Sequence, residues 1–170
     1  MKSAELSIII VSFNTKELLR KCLNSVYKSK YSNFEVIVVD NNSADHSDEM
    51  VRTLHPKTLL IVNSKNRYLS SAINQALKNI NGKFFLILNS DTAFKPDTLK
   101  KMVELMKANS QIGIATCKHL KDDGSVDKIC SRFPNPIIDF LELTLIGQIL
   151  IKYLNISKFK IGRASCRERV

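Results

Sequence analysis

At 170 residues, 44% of them hydrophobic, the chain is long enough for one domain with a real core and too apolar to be disordered. It has no run near the roughly 20 apolar residues of a membrane span, and Cys22, Cys117, Cys130 and Cys166 lack CxxC spacing, so they read as reduced thiols of a cytoplasmic protein. The net charge of +10 favours anionic partners, although the last stretch, 158–170, supplies +4 of it through five Lys or Arg and one Glu.

The start, Met1-Lys2-Ser3-Ala4-Glu5, has no small-residue cleavage site and predicts no secretory leader. Leu6–Ser12 reads as a buried strand. Asn14 or Thr15 can cap the helix that follows over Lys16–Tyr27, where Leu18, Leu19, Cys22, Leu23 and Val26 recur at helical spacing. Phe34–Asp40 is a second buried strand, and Ser47–Leu54 a second helix. Residues 58–63 read as a third strand and 69–80 as a helix with Leu69, Ala72, Ile73, Ala76, Leu77 and Ile80 on its apolar stripe, stopped by Asn81-Gly82.

The run Phe84-Phe85-Leu86-Ile87-Leu88 suits a strand buried on both faces. Pro96 fits the first position of another helix, which buries Leu99, Met102, Val103 and Met106. A fifth strand is expected over 112–117, and Asp122-Asp123-Gly124 signals a hairpin turn. Strands alternating with helices imply an α/β fold with a doubly wound, mostly parallel sheet. Beyond Phe133-Pro134-Asn135-Pro136 the pattern weakens. Residues 137–156 are apolar, interrupted by Asp139, Glu142, Gln148 and Lys152, and suit a helix lying on a membrane surface, covering core or meeting a partner segment. Residues 158–170 have no amphipathic period and read as a foreign tail. The chain thus divides into a core over 1–132, an apolar helical segment over 133–157 and a non-native tail over 158–170.

Three strands end in polar clusters: Ser12-Phe13-Asn14, Asp40-Asn41-Asn42-Ser43 and Asn89-Ser90-Asp91. In open α/β sheets ligands sit at the carboxyl ends of the strands, so parallel neighbours would bring all three clusters to one crevice, a site suited to a nucleoside diphosphate. The Asp40 carboxylate can accept a hydrogen bond from a base N–H. Asp91, with the Asn89 amide oxygen, offers hard oxygen ligands for Mg²⁺ or Mn²⁺, or else the pair only ends a strand and caps the next element. Asp45 can cap a helix as readily as touch a ligand. His46, His55 and His119 are scattered and read as surface or structural, and Lys118, Lys121 and Lys128 as a solvated face. No GxxxxGK[ST] loop and no GxGxxG follows the first strand, which leaves P-loop and dinucleotide sites unsupported. Without aromatic-basic interleaving, the charge gives no nucleic-acid signal.

These residues resemble a known family. Ile10-Val11-Ser12-Phe13-Asn14, Val38-Val39-Asp40-Asn41-Asn42-Ser43-Ala44-Asp45, Asn66 with Ala72 and Asn74, and Leu88-Asn89-Ser90-Asp91-Thr92 look like the family 2 glycosyltransferases of GT-A fold. The nearest branch is rhamnosyltransferase-like enzymes of bacterial surface polysaccharide synthesis. The resemblance covers about residues 6–117, and more faintly 123–134. It implies that Ser12 and Asn14 border the nucleotide and that Asp40 recognises a pyrimidine base, with Asn42 and Ser43 beside it. It places Asn66 in the loop lining the donor pocket, and Asn89-Ser90-Asp91 as an Asn-x-Asp form of the DXD motif with Asp91 on the metal. The implied activity is metal-dependent, inverting transfer from a UDP- or dTDP-sugar to a hydroxyl on a glycan or lipid-linked glycan. The implied location is the cytoplasm, peripheral at the inner face of the membrane.

Two departures stand out. Tyr68-Leu69 occupy positions where the family often has Gly-Phe, which narrows the pocket or changes the loop backbone. No carboxylate after residue 137 has the Glu-Asp or Asp-Asp context of the family's general base, so the chain reads as a truncated GT-A domain, incomplete on its C-terminal side. Two rivals stand beside this reading. A sugar-nucleotide pyrophosphorylase would carry a Gly-rich basic loop where Ser12-Phe13-Asn14-Thr15 stand. A non-catalytic nucleotide-binding fragment would bind without turnover.

Overall fold

The computed structural model describes residues 4–120, 124–126 and 144. Two compact units divide the chain, Met1–Ala115 and Thr116–Val170. In the first, strands and helices alternate without exception: β1 (Leu6–Ser12), α1 (Lys16–Tyr27), β2 (Phe34–Asp40), α2 (Ser47–Leu54), β3 (Leu59–Val62), α3 (Tyr68–Leu77), β4 (Phe84–Asn89) and α4 (Thr98–Ala108). The four strands form one sheet in the order β3-β2-β1-β4, every neighbouring pair parallel.

That order fixes where a ligand can enter. The chain builds outward from β1 through β2 to β3, then returns to place β4 on the other side of β1. Winding therefore reverses between β1 and β4, and the crevice at such a reversal is where open α/β sheets bind ligands. β1, β2, α1 and α2 have the bounds expected from the sequence. β1 is an inner strand, flanked by β2 and β4, and Ile8, Ile9 and Ile10 are wholly buried.

Alternate residues of the sheet feed two cores. One face carries Ile8, Ile10, Val36, Val38 and Leu88 and packs with Leu19, Leu23 and Val26 of α1, Val51 of α2, and Leu99 and Val103 of α4. The other carries Ile9, Ile37 and Val39 under Ala72 and Ala76 of α3. The two alanines keep that side of α3 thin, so the helix lies close to β1 and β2.

The structure corrects several expectations. β4 is buried on one face only: Phe84, Leu86 and Leu88 turn to the larger core, while Phe85 and Ile87 remain 53% and 46% exposed. Among the described residues β4 is an edge strand, and α3 packs on β1 and β2 and does not cover the second face of β4. The fifth strand over 112–117 does not form. A strand exists through its neighbour, this segment joins no ladder among the described residues, and Ile114 is 93% exposed. α3 begins at Tyr68 and ends at Leu77, earlier than its apolar stripe suggests, and α4 begins at Thr98, after a turn that holds Pro96. Asn81 and Gly82 do not stop α3. They bind instead to Glu35 and Ser7.

In the second unit, one antiparallel bridge, Leu120 to Val126, is the sole rung of the expected hairpin among the described residues, with Gly124 at φ +80°. The apolar segment 137–156 and the tail 158–170 lie outside the described residues apart from Thr144, as do Cys130, Cys166, Lys121 and Lys128. Among the described residues no helix is long and apolar enough to cross a membrane.

His55, the residue after α2, stacks on Tyr27 with ring centroids 5.2 Å apart and 9° between planes. Its Nε2 is buried without a hydrogen-bond partner, and burial pushes the imidazole below its ordinary pKa of 6.5. The unfolded chain therefore takes up this proton first. The neutral ring's contribution to stability is whole above pH 6.5 and is lost as pH falls through that value towards the lower folded one. Urea unfolding is expected to show stability beginning to drop as pH falls through about 6.5, before the carboxylates begin to protonate. His55→Phe, which keeps the stack, should flatten that window; an unchanged slope would mean other groups produce it.

Candidate functional site

The register brings the three polar clusters to one end of the sheet. Ser12 pairs with Asp40 across β1 and β2, and Val11 pairs with Asn89 across β1 and β4. The ladder runs one step further through Asn41 N–H to the Ser12 carbonyl, 2.9 Å.

Two hydrogen-bonded groups tie the strand ends together. At the β1–β4 reversal, the Thr15 hydroxyl donates to Ser90 Oγ at 3.0 Å and lies 3.0 Å from Ser12 Oγ, which leaves Ser12 to donate to it. Thr15 is the N-cap residue of α1, yet its side chain makes no capping bond and bridges β1 to the loop after β4 instead. Its hydroxyl looks in sequence like an ordinary cap, and its role as a bridge shows only once β4 lies beside β1.

Above β2, both oxygens of Asp40 accept from Ser43, one from its N–H at 2.9 Å and one from its hydroxyl at 2.6 Å. Ser43 Oγ accepts in turn from the Asn14 N–H at 2.9 Å, and Asn14 Oδ1 accepts from the Ala44 N–H at 2.8 Å. Asp40 is buried, and a carboxylate has lone pairs beyond the two that Ser43 engages. The sequence-predicted residues Ser12, Asn14, Asp40, Ser43 and Ser90 thus form two adjoining braces. Asn42 is exposed beside them at φ 65°.

Asp45 supports the frame. Burial raises its pKa, but hydrogen bonds from the Ser47 hydroxyl and the Lys16 and Ser47 N–H groups outweigh this and hold the carboxyl below its usual range. It caps the first turns of two helices, α1 and α2, the structural side of its two sequence readings.

The backbone is most contorted here. Among the described residues, all four non-glycine positive φ values fall in the loops after β1 and β2 or at the start of α3, past the carboxyl ends of β1, β2 and β3: Asn14 at 54°, Asn42 at 65°, His46 at 62° and Tyr68 at 58°. Asparagine tolerates this region, whereas an aromatic there is strained, and such strain clusters at functional sites.

Asn66 lies in the β3–α3 loop, where its Oδ1 accepts from the Tyr68 N–H at 2.7 Å. Asn89 and Asp91 are exposed at the end of β4 and in the loop after it. Asp91 has no hydrogen-bond partner among the described residues. No three His, Cys, Asp or Glu come together there either, so these residues supply no complete metal cage. An open carboxylate still fits Mg²⁺ or Mn²⁺, which are often held by one or two carboxylates with water and substrate phosphates as the other ligands. Cys22, with its Sγ 3.6 Å from the Asn89 carbonyl, is not a nucleophile: burial and then the nearby Asp91 charge push the thiol up to about 12.

Besides Thr15, a second residue of the site escapes the sequence reading. Asn41 is 2% exposed, and its Oδ1 accepts from Asn63 Nδ2 at 3.0 Å and the Arg67 N–H at 3.3 Å. Its Nδ2 donates to the Tyr68 carbonyl at 3.4 Å. Strand alternation could have found it, since Asn41 continues the Ile37–Val39 face that packs under α3.

The family model for glycosyl transferase family 2 matches residues 7–163. The glycosyltransferase GlyA of Streptococcus pneumoniae is 30% identical over 114 residues, which are 64% of this chain and 16% of that protein. The crystal structure of Staphylococcus aureus TarS residues 1–349 in complex with UDP-GlcNAc superposes with a TM-score of 0.56. It shares 29% identity over 61% of this chain and 31% of that one. The mannosyltransferase PcManGT of Pyrobaculum calidifontis, solved with GDP-Man and Mn²⁺, has the same fold. Its TM-score is 0.56 and its identity 23%, over 83% of this chain and 39% of that one. The chain therefore spans well under two thirds of each of these proteins.

Proposed function

Because the chain belongs to glycosyl transferase family 2, we propose that it carries the donor-binding part of a metal-dependent, inverting glycosyltransferase. The donor is a UDP- or dTDP-sugar, and the acceptor is a hydroxyl of a glycan or lipid-linked glycan in cell-surface polysaccharide synthesis, met at the inner face of the membrane. The observation that carries this reading is the meeting of Ser12, Thr15 and Ser90 at the β1–β4 reversal, with the Asp40–Ser43–Asn14 brace beside it. The UDP-GlcNAc bound by TarS supports the donor class.

In this reading Asp40 takes the base N–H on a free lone pair. Ser12, Asn14, Asn42, Ser43, Asn66, Asn89 and Ser90 line the nucleotide and donor pocket. Asp91 would hold Mn²⁺ or Mg²⁺, and the bound ion would supply Lewis-acid stabilisation of the leaving nucleoside diphosphate. Transfer is a direct displacement at the anomeric carbon by a base-activated acceptor hydroxyl. The coverage of only 31% of TarS residues 1–349 favours a second reading, in which this chain binds donor and the rest of a longer protein completes the reaction. Measured turnover separates the two.

The test is calorimetric titration of UDP and dTDP into the chain, with Mn²⁺ or with EDTA, for wild type and Asp91→Ala. Binding that Mn²⁺ strengthens in the wild type alone supports the donor site and its metal ligand. A folded wild type that binds neither nucleotide would sink the reading.

A further inference from the structure

Asp40 and Asn41 are consecutive, so their side chains leave opposite faces of the sheet. Asp40 shares the face of Val36 and Val38 and braces the β1–α1 and β2–α2 loops through Ser43 and Asn14. Asn41 follows Ile37 and Val39 on the α3 face and holds the β3–α3 loop. One strand end thereby controls loops on both sides of the crevice.

The bonds of Asn41 go to three places: the end of β3 through Asn63, and the residues before and at the start of α3 through the Arg67 N–H and the Tyr68 carbonyl. Asn66 lies between these anchors and fixes the Tyr68 N–H from the other side. Tyr68 is thus held at both its backbone N–H and its carbonyl, in a left-handed conformation at φ 58°, and the residue is 80% exposed. A loop free to relax would not keep a tyrosine in that region.

We propose that Asn41 is a positioning residue for the donor site, holding the 63–68 loop so that Asn66 and the Tyr68 ring face the bound donor. This rests on the donor-site reading above and adds to it a residue that touches no ligand. Tyr68, projected by that loop, becomes a determinant of donor choice.

The probe is UDP with Mn²⁺, titrated into the full chain. Asn41→Ala leaves two donors and one acceptor in the loop unpaired and is expected to weaken binding about tenfold. Asn63→Ala, which removes only the amide bracing Asn41, should weaken it about threefold and keeps the test alive if Asn41→Ala does not fold. Ser7→Ala, at the far end of β1, lowers the melting temperature without changing affinity and controls for general loosening. The double variant Asn41→Ala/Asn66→Ala should lose little more than the worse single one, since both act through one loop. Additive losses, or unchanged affinity in Asn41→Ala and Asn63→Ala beside a wild type that binds, would overturn the proposal alone. A wild type that does not bind UDP would overturn it together with the donor-site reading.

Discussion

Asp40→Ala is expected to lower stability by about 3 kcal/mol and UDP affinity roughly a hundredfold. The stability loss follows from the brace. Asp40 is buried and accepts both polar hydrogens of Ser43, and Ser43 Oγ is the acceptor for Asn14. Alanine leaves the Ser43 hydrogens unpaired and frees the β1–α1 loop. The affinity loss combines this slackening with removal of the carboxylate proposed to read the base. Asp40→Asn separates the two. Its amide oxygen can still accept from the Ser43 N–H while its NH₂ donates to the hydroxyl, so much of the brace survives without the charge. Urea unfolding and UDP titration of both variants form the measurement. Full UDP affinity in Asp40→Asn would mean that the charge reads no base and that Asp40 only braces.

Gly82→Ala acts at the opposite end of the sheet and is expected to destabilise the fold by about 3 kcal/mol. A Cβ at this position would stand 2.6 Å from the Ser7 backbone nitrogen, 2.7 Å from Ser7 Oγ and 2.8 Å from the Phe84 carbonyl oxygen. Two of these atoms are backbone in strands, so no side-chain rotation relieves the clash. The Gly82 N–H also donates to Ser7 Oγ at 2.9 Å, and Ser7 and Asn81 both donate to Glu35. Burial raises the Glu35 pKa, but these bonds prevail and hold the carboxyl low. Ser7 lies five residues along β1 from Ser12, about 17 Å, so UDP affinity of the folded variant should stay at the wild-type value. A loss below about 1 kcal/mol would mean that the turn into β4 reshapes with ease.

The sequence carried what local pattern can carry. Apolar runs with polar ends, broken only at Ser7 and Glu35, marked β1 and β2 to the residue, and 3.6-residue spacing did the same for α1. Pattern failed where the outcome depends on a neighbour. Five apolar residues in a row read as doubly buried, but whether a helix reaches over Phe85 and Ile87 is a matter of sheet position. A strand over 112–117 needs a partner that its own residues do not specify. For the site, the polar strand ends were legible because charged and amide groups at such places have few uses. Thr15 and Asn41 were not, since a hydroxyl before a helix and one amide in a run of polar residues each have a common, local explanation.

The pairing of β1 with β4 also sets an order of events during synthesis. The Thr15–Ser90 hydrogen bond joins positions 75 residues apart, across three helical crossovers between strands. A nascent chain can assemble β1, α1 and β2 from nearby contacts, whereas the last wall of the crevice arrives only when β4 has left the ribosome. Until then the flank of β1 that β4 will cover stays open, a template for any passing strand. The stretch that completes the ligand crevice is thus the same one that ends this exposure, so slow emergence of residues 84–91 would raise losses to aggregation and delay nucleotide binding together.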